Sequence, residues 1–266
     1  MMNIQIVLTP SESKKLIAKG IAEYLKPLLE NGASVLVTRG STNAYVLVEL
    51  QAMLGIDQPF SKADFITGEI LPGDKRLWAN KKECRKPEIL FEGKAAREVT
   101  DASRVEIVRA MKRGDFIIKG ANAVDPNGVA GVLVGDQNQG GTIGALHGIA
   151  RAKGIDILVP IGLEKLVAND LDLACQLAGA NNCKWAQGMP VGIFPVSGGI
   201  VMTEIEALEL LFDVDAYHIA SGGLDGAKGA VSLLIESEED DELERCKAFL
   251  ESSVFGEPDL QPNPAD

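Results

Sequence analysis

One glycine-rich stretch of the chain, residues 119–144, reads Lys-Gly-Ala-Asn-Ala-Val-Asp-Pro-Asn-Gly-Val-Ala-Gly-Val-Leu-Val-Gly-Asp-Gln-Asn-Gln-Gly-Gly-Thr-Ile-Gly. An apolar run typical of a buried strand, residues 116–118, precedes it, and its end leads into a helix predicted from Thr142. Seven glycines fall within the stretch, so its backbone can bend sharply and come close to a ligand. We therefore predict the functional site here.

Strands and helices alternate on both sides of this stretch. Residues 34–38 and 156–161 are apolar and rich in β-branched side chains, as expected of strands. Residues 9–12 form a capping box with proline at the first helical position, and residues 203–206 form a second one. The alternation predicts an α/β fold with a Rossmann-like, mostly parallel sheet and helices on both faces.

The C-terminal third predicts a different, smaller unit of α+β type. Residues 216–220 and 230–236 read as a strand pair around a glycine-rich loop, followed by a helix over 240–250. The last ten residues carry three prolines and no periodicity. We expect a Rossmann-like domain over residues 1–196, a lid-like α+β unit over 197–256 and a loose tail over 257–266.

Composition excludes several classes of function. A formal charge of −12 over 266 residues argues against nucleic acid or an anionic membrane as partner, because both require clustered Lys and Arg. Four scattered cysteines and two histidines argue against a thiolate zinc site and favour a reducing compartment. No signal-peptide pattern and no membrane-spanning apolar run is found, so we predict a cytoplasmic location. We also predict that the protein uses no metal and no cofactor. A homodimer is one candidate assembly.

Two glycine-rich turns, residues 39–43 and 119–128, follow predicted strands, where parallel sheets bind ligands. In the first turn, Gly40-Ser41-Thr42-Asn43 would present a helix N-terminus to an anion, unless Ser41 or Thr42 simply caps the helix. In the second, Asp125 is the candidate catalytic base or polyol ligand, unless it only stabilises an Asp-Pro-Asn-Gly turn. Lys119 either contacts an anion or only reaches solvent.

Further substrate-binding candidates lie on or near the same expected sheet edge. They are Gly120, Asn122, Asp136, Glu164 and Lys165. Asp136 has the same two interpretations as Asp125, and Glu164-Lys165 could equally be a surface ion pair worth little. Residues 55–95, with three prolines and a basic cluster over residues 81–86, are predicted as loops and short strands.

These segments, in this order, resemble ribose-5-phosphate isomerases of the A type, within the broader group of isomerases and CoA transferases. Gly40-Ser41-Thr42 is similar to the phosphate loop of that family, and residues 120–126 are similar to its Gly-Ala-Asp-Glu-Val-Asp-Pro stretch. Glu164-Lys165 and the strand Pro190–Pro195 resemble two further family segments. The resemblance implies the fold of that group, a phosphate site at residues 40–42 and a small α+β lid.

The chain departs from this family at its acidic residues. Asn122 and Ala123 stand where the family has Asp and Glu, and Gly192 replaces a strand glutamate, so only Asp125 of the acidic residues remains. Aldose–ketose isomerisation needs a carboxylate to move a proton between carbons. We therefore expect binding of a phosphorylated sugar or similar small anionic metabolite, with isomerase-like conversion as an open question. The alternatives are a non-catalytic metabolite sensor and, from residues 161–167, a protein related to acyl-CoA or lactate utilisation.

Overall fold

The computed structural model describes residues 2–70, 77–78 and 86–261. Those ranges contain seven α-helices: α1 (Pro10–Glu30), α2 (Ser41–Leu54), α3 (Arg104–Ala110), α4 (Gly141–Lys153), α5 (Leu171–Leu177), α6 (Glu204–Leu211) and α7 (Asp240–Ser253). They contain fourteen strands: β1 (Met2–Leu8), β2 (Ser34–Val37), β3 (Glu69–Ile70), β4 (Leu77–Trp78), β5 (Glu88–Glu92), β6 (Ala95–Val99), β7 (Phe116–Ile118), β8 (Ala123–Val124), β9 (Ala130–Val134), β10 (Asp156–Pro160), β11 (Gly192–Pro195), β12 (Ile200–Met202), β13 (Asp215–Gly222) and β14 (Ala230–Ser237). Lys81, Lys82 and Arg85 of the basic cluster lie outside the described residues.

A six-stranded mixed sheet forms the centre of the molecule, in the order β12-β10-β7-β2-β5-β6. Strands β12, β10, β7 and β2 are parallel, whereas β5 and β6 form an antiparallel hairpin at one side. The chain is therefore a mixed α/β protein. Strand β5, of five residues, is one of the short strands predicted within residues 55–95.

Helices cover both faces of this sheet because its strands alternate two sets of apolar side chains. In β2, Val35 and Val37 pack on the face covered by α1, α2 and α6. Leu36 points to the opposite face, which α3 and α4 cover. The same alternation separates Phe116 and Ile118 from Ile117 in β7. Burial on both faces explains the nearly continuous apolar composition of these strands.

A second sheet, of three antiparallel strands, joins the two ends of the chain in the order β1-β14-β13. The register of β1 on β14 runs from Met2 opposite Ser237 to Leu8 opposite Val231. The predicted strand pair in the C-terminal third is confirmed as β13 and β14. The predicted unit over residues 197–256 thus shares its sheet with the first strand, while its β12 belongs to the central sheet. The division into domains at residue 196 stays a prediction.

The glycine-rich stretch folds partly into strands rather than into turns alone. Strands β8 and β9 form a short hairpin, and β11 pairs antiparallel with β9, from Gly192 opposite Val134 to Pro195 opposite Gly131. The buried apolar residues of this third sheet, Val124, Ala130 and Val132, belong to the same apolar cluster as Ile143 and Leu146 of α4. The sequence predicted β11 and α4 but not the hairpin.

The segment expected to be a loose tail begins with residues that contact α1. The carboxylate of Glu257 accepts a hydrogen bond from Lys15 Nζ at 2.7 Å and forms an ion pair with Lys62. The backbone N–H of Leu260 donates to Ser11 Oγ at 3.1 Å. Residues 262–266 lie outside the described residues.

In the described ranges, none of the helices combines the length and apolarity that crossing a bilayer requires.

Candidate functional site

A cleft of about 540 Å³ opens at the carboxyl ends of β2 and β7. Five glycine-containing segments line it: residues 40–42 at the start of α2, 67–69, 119–122 after β7, 132–136 at the end of β9, and 140–143 at the start of α4. Its volume lies within the range of small-molecule sites in proteins. Of the two glycine-rich turns predicted at this edge of the sheet, residues 40–42 of the first and 119–122 of the second therefore lie together, whereas residues 123–128 lie outside the cleft lining.

The N-terminus of α2 faces this cleft without a side-chain cap. Its N-cap residue is Gly40, and neither Ser41 nor Thr42 provides a capping hydrogen bond. Asn43 is fully buried beneath the turn, where its Nδ2 donates to the carbonyl oxygen of Thr38 at 2.8 Å. Gly40, Ser41 and Thr42 therefore line the cleft, whereas Asn43 supports the turn from below. The uncapped N–H groups and the helix dipole favour an anion here.

The N-terminus of α4 faces the same cleft but has a carboxylate beside it. Gly140 and Gly141 adopt left-handed backbone conformations, with φ of 70° and 64°, which favour glycine. Asp136 accepts hydrogen bonds from Asn138 N at 3.0 Å and, more weakly, from Gly141 N at 3.4 Å. Asp136 thus already accepts a hydrogen bond from this helix start, whereas no side chain caps the N-terminus of α2.

Two lysines bring positive charge to the cleft. Lys119 Nζ donates to the carbonyl oxygen of Gly120 at 2.8 Å, and Lys165 Nζ donates to that of Ala121 at 3.3 Å. Within the described part of the chain, neither lysine forms an ion pair with a carboxylate. A ligand anion would therefore not have to displace a carboxylate from them.

Burial lowers the pKa of Lys119 to about 8. The negative charges of Glu88 and Glu69 oppose this shift, while the positive charges of Lys165 and Arg104 add to it. A lysine whose pKa is lowered in this way exists partly as the neutral amine near neutral pH. Perturbed groups of this kind in a cleft are typical of functional sites.

An ion-pair network, which the sequence did not predict, forms another wall of the cleft. Arg104 Nε donates to Glu88 Oε2 at 2.5 Å, and Arg39 Nη2 lies 3.8 Å from Glu88 Oε1. Asp101 forms ion pairs with both arginines. The two arginines are nearly buried, and the carboxylates of Glu88 and Asp101 largely compensate their charges, so the network stiffens this wall. Lys119 and Lys165 therefore stay the principal uncompensated cations of the described cleft lining.

Asn122 lines the cleft but uses both ends of its amide for the protein itself. Its Nδ2 donates to the carbonyl oxygen of Gly68 at 2.9 Å, and its Oδ1 accepts from Leu133 N at 3.0 Å. The side chain thus ties residue 68 to β9. Glu69, which follows Gly68, also lines the cleft. The sequence did not indicate Glu69 as a site residue, because it falls within residues 55–95, where no hydrophobic periodicity is found.

Asp125, the candidate catalytic base, is held by backbone N–H groups outside the cleft lining. Its Oδ1 accepts hydrogen bonds from Asn127 N and Val129 N, each at 2.9 Å, and its Oδ2 accepts from Leu171 N at 3.1 Å. Burial alone would raise its pKa, but backbone hydrogen bonds from Val129, Leu171 and Asn127 hold that pKa below its ordinary value. Asp125 lies outside the cleft lining, so its geometry is that of a turn residue that also anchors the start of α5.

Glu164 likewise lies outside the cleft lining. Its Oε1 accepts a hydrogen bond from Lys14 Nζ at 2.9 Å. Of the predicted Glu164-Lys165 pair, only Lys165 therefore faces the cleft. The described residues contain no group of three or more His, Cys, Asp or Glu side chains that could hold a metal ion.

Comparison with known proteins gives no assignment. No protein-family model matches the chain, and a search of curated proteins finds no match to it.

Proposed function

We propose that the chain binds a small phosphorylated metabolite in this cleft. The observation that carries the proposal is the meeting of the uncapped N-terminus of α2 with Lys119 and Lys165 in one small-molecule-sized cleft. Free N–H groups at a helix N-terminus complement a phosphate monoester, and a lysine adds a point charge. The overall charge of −12 does not oppose this, because the cations involved act locally.

We further propose that the central sheet is the Rossmann-like core of the isomerase and CoA-transferase group. The four parallel strands and the two glycine-rich turns at their carboxyl ends support this proposal. So does the similarity of residues 40–42 to the phosphate loop of ribose-5-phosphate isomerases. A cytoplasmic location and a homodimer stay predictions.

The position of Asp125 favours a second candidate function, a non-catalytic metabolite sensor. An isomerase of the resembled family would use acidic residues to move the proton, and the acid that this chain retains is engaged in a turn outside the cleft. Incubation of the protein with ribose 5-phosphate, followed by ¹H NMR, separates the two functions. A new sugar phosphate supports an enzyme, whereas unchanged substrate that nonetheless binds supports the sensor.

Calorimetric titration with glycerol 3-phosphate tests binding itself, because this ligand has the phosphate monoester but no reactive carbonyl. We expect saturable binding by the wild type and a loss of about ten- to a hundredfold in affinity for Lys165→Gln, the worth of one charge-assisted hydrogen bond. The matched control is Lys94→Gln, since Lys94 is exposed in the β5–β6 turn at the opposite edge of the sheet. Equal affinity of the two variants, or no binding by the wild type, would contradict the proposal.

A further inference from the structure

Lys119 differs from an ordinary anion-binding lysine in its surroundings. It follows β7 directly and lines the cleft, and within the described residues its Nζ has one hydrogen bond, to the carbonyl oxygen of Gly120. A second lysine, Lys165, lines the same cleft and acts on it electrostatically. Lys119 is desolvated by burial and forms no ion pair with a carboxylate among the described residues, so it loses a proton easily even though the charge of Glu88 opposes the loss.

The neutral amine that results is a nucleophile rather than a good phosphate ligand. Lysines that are desolvated or placed beside another cation are the ones that attack carbonyl groups in enzymes. Lys165 and the N-terminus of α2 can hold the phosphate, which leaves Lys119 available to the rest of the ligand. The lowered pKa of Lys119, about 8, agrees with this division of roles.

We propose that Lys119 Nζ forms an imine with a phosphorylated aldehyde or ketone bound in the cleft. This inference rests on the proposed function, and it adds the substrate class, a carbonyl compound, and a covalent step. It also offers a route to chemistry on a sugar phosphate that needs none of the acidic residues that the chain lacks at positions 122, 123 and 192.

The step balances within the site. The nitrogen lone pair of the neutral amine forms the C–N bond, and the carbonyl oxygen becomes the hydroxyl of a carbinolamine. That hydroxyl takes a proton and leaves as water, so that the amine supplies both hydrogens of the water and a C=N bond remains. Proton transfer between nitrogen and oxygen needs an acid–base group, and the proposal gives this role to Glu69, a carboxylate of the cleft lining whose charge acts on Lys119.

Borohydride trapping tests the proposal, with pyridoxal 5′-phosphate as a probe that carries both an aldehyde and a phosphate monoester. Reduction converts an imine to a stable secondary amine, which peptide mass spectrometry locates. We expect one adduct per chain, on Lys119, that excess glycerol 3-phosphate suppresses and that pyridoxal without phosphate fails to form. Labelling should rise between about pH 7 and pH 9, earlier than for exposed lysines.

Two matched substitutions separate imine formation by Lys119 from the effect of its positive charge. Lys119→Arg keeps the positive charge and a donor for Gly120 but cannot form an imine, because arginine is not deprotonated in proteins. We expect this variant to lose the adduct. Lys94→Arg makes the same exchange at an exposed lysine outside the cleft lining, and there the adduct on Lys119 should persist.

The outcomes distinguish this inference from the proposed function. Binding of glycerol 3-phosphate without an adduct on Lys119, or label spread evenly over exposed lysines, overturns the imine alone. Absence of glycerol 3-phosphate binding by the wild type overturns the proposed function, and the inference falls with it. An adduct confined to Lys119 and suppressed by glycerol 3-phosphate supports both.

Discussion

Gly144 offers the sharpest test of the structure around the cleft, because it lies in the first turn of α4, against the loop that precedes this helix. A Cβ atom at this position would stand 2.2 Å from the carbonyl oxygen of Gln139. Non-bonded heavy atoms make their best contact at about 3.5 Å or more, so Gly144→Ala must displace the backbone of the loop. Gln139, Gly140 and Gly141 all line the cleft, so this displacement would also change the shape of the cleft.

Gly148→Ala is the matched control, one turn further along the same helix. Gly148 is exposed, and a Cβ there would meet no atom within 4 Å. Replacing glycine by alanine inside a helix stabilises it by about 1 kcal/mol, and this gain applies approximately to both variants. Overpacking costs about 1–3 kcal/mol and applies only to Gly144→Ala. The difference in free energy of unfolding between the variants should therefore be about 1–3 kcal/mol.

Urea denaturation of the wild type and both variants measures this difference. We expect a higher midpoint for Gly148→Ala than for the wild type, and a midpoint for Gly144→Ala well below that of Gly148→Ala, with the slope of the transition unchanged. If Gly144→Ala were as stable as Gly148→Ala, the approach of Gln139 to α4 would be wrong, and with it the shape of this wall of the cleft.

Three further substitutions test other parts of the account. Asp125→Asn replaces one acceptor oxygen by an amide NH2 group, so it should lower the free energy of unfolding by about 1–3 kcal/mol in urea denaturation and leave the affinity for glycerol 3-phosphate unchanged. Lost affinity with retained stability would instead show that Asp125 takes part in ligand binding. Glu88→Gln weakens the pairing of Arg39 and Arg104 and should cost about 3–5 kcal/mol; a change below about 1 kcal/mol would refute a structural role for the network. Burial raises the pKa of Glu204 from its ordinary 4.5 to about 7, so the folded state binds its proton more tightly than the unfolded state. The free energy of unfolding of the wild type, relative to that of Glu204→Gln, should accordingly fall by about 3 kcal/mol as the pH rises from about 4.5 to 7, and it should stay level above pH 7. If this difference in free energy did not change with pH over that range, the raised pKa would be wrong.

Structural features that depend on residues close together in the sequence were predicted correctly. Both capping boxes are confirmed: Thr9 N donates to Glu12 Oε2 at 2.8 Å, and Thr203 N donates to Glu206 Oε2 at 2.7 Å. The two hydrogen-bonded residues of each box lie three positions apart in the sequence, so the sequence pattern nearly determines the contact. The buried strands β2, β7 and β10 were found for a similar reason, because burial on both faces leaves a continuous apolar run.

Contacts between distant segments could not be predicted in the same way. The pairing of β1 with β14 joins the two ends of the chain, and no feature of residues 2–8 identifies that partner. Asp125 shows the same limit within the site. Its local turn contacts were one of the two interpretations considered, but its bond to Leu171 comes from a segment 46 residues away. The network around Glu88 depends on the pairing of β5 with β2, which carries no sequence signal of its own.

We propose that a phosphate group binds at the N-terminus of α2 beside Lys119 and Lys165. Titration of the ¹⁵N-labelled protein with glycerol 3-phosphate, followed by the amide resonances of Ser41, Thr42 and Gly120, tests it most directly. We expect these amide resonances to shift together along one saturable binding curve, while the amide of Lys94 at the opposite edge stays unchanged. Saturable shifts confined to residues outside the cleft, or no saturation at residues 41, 42 and 120, would contradict the account.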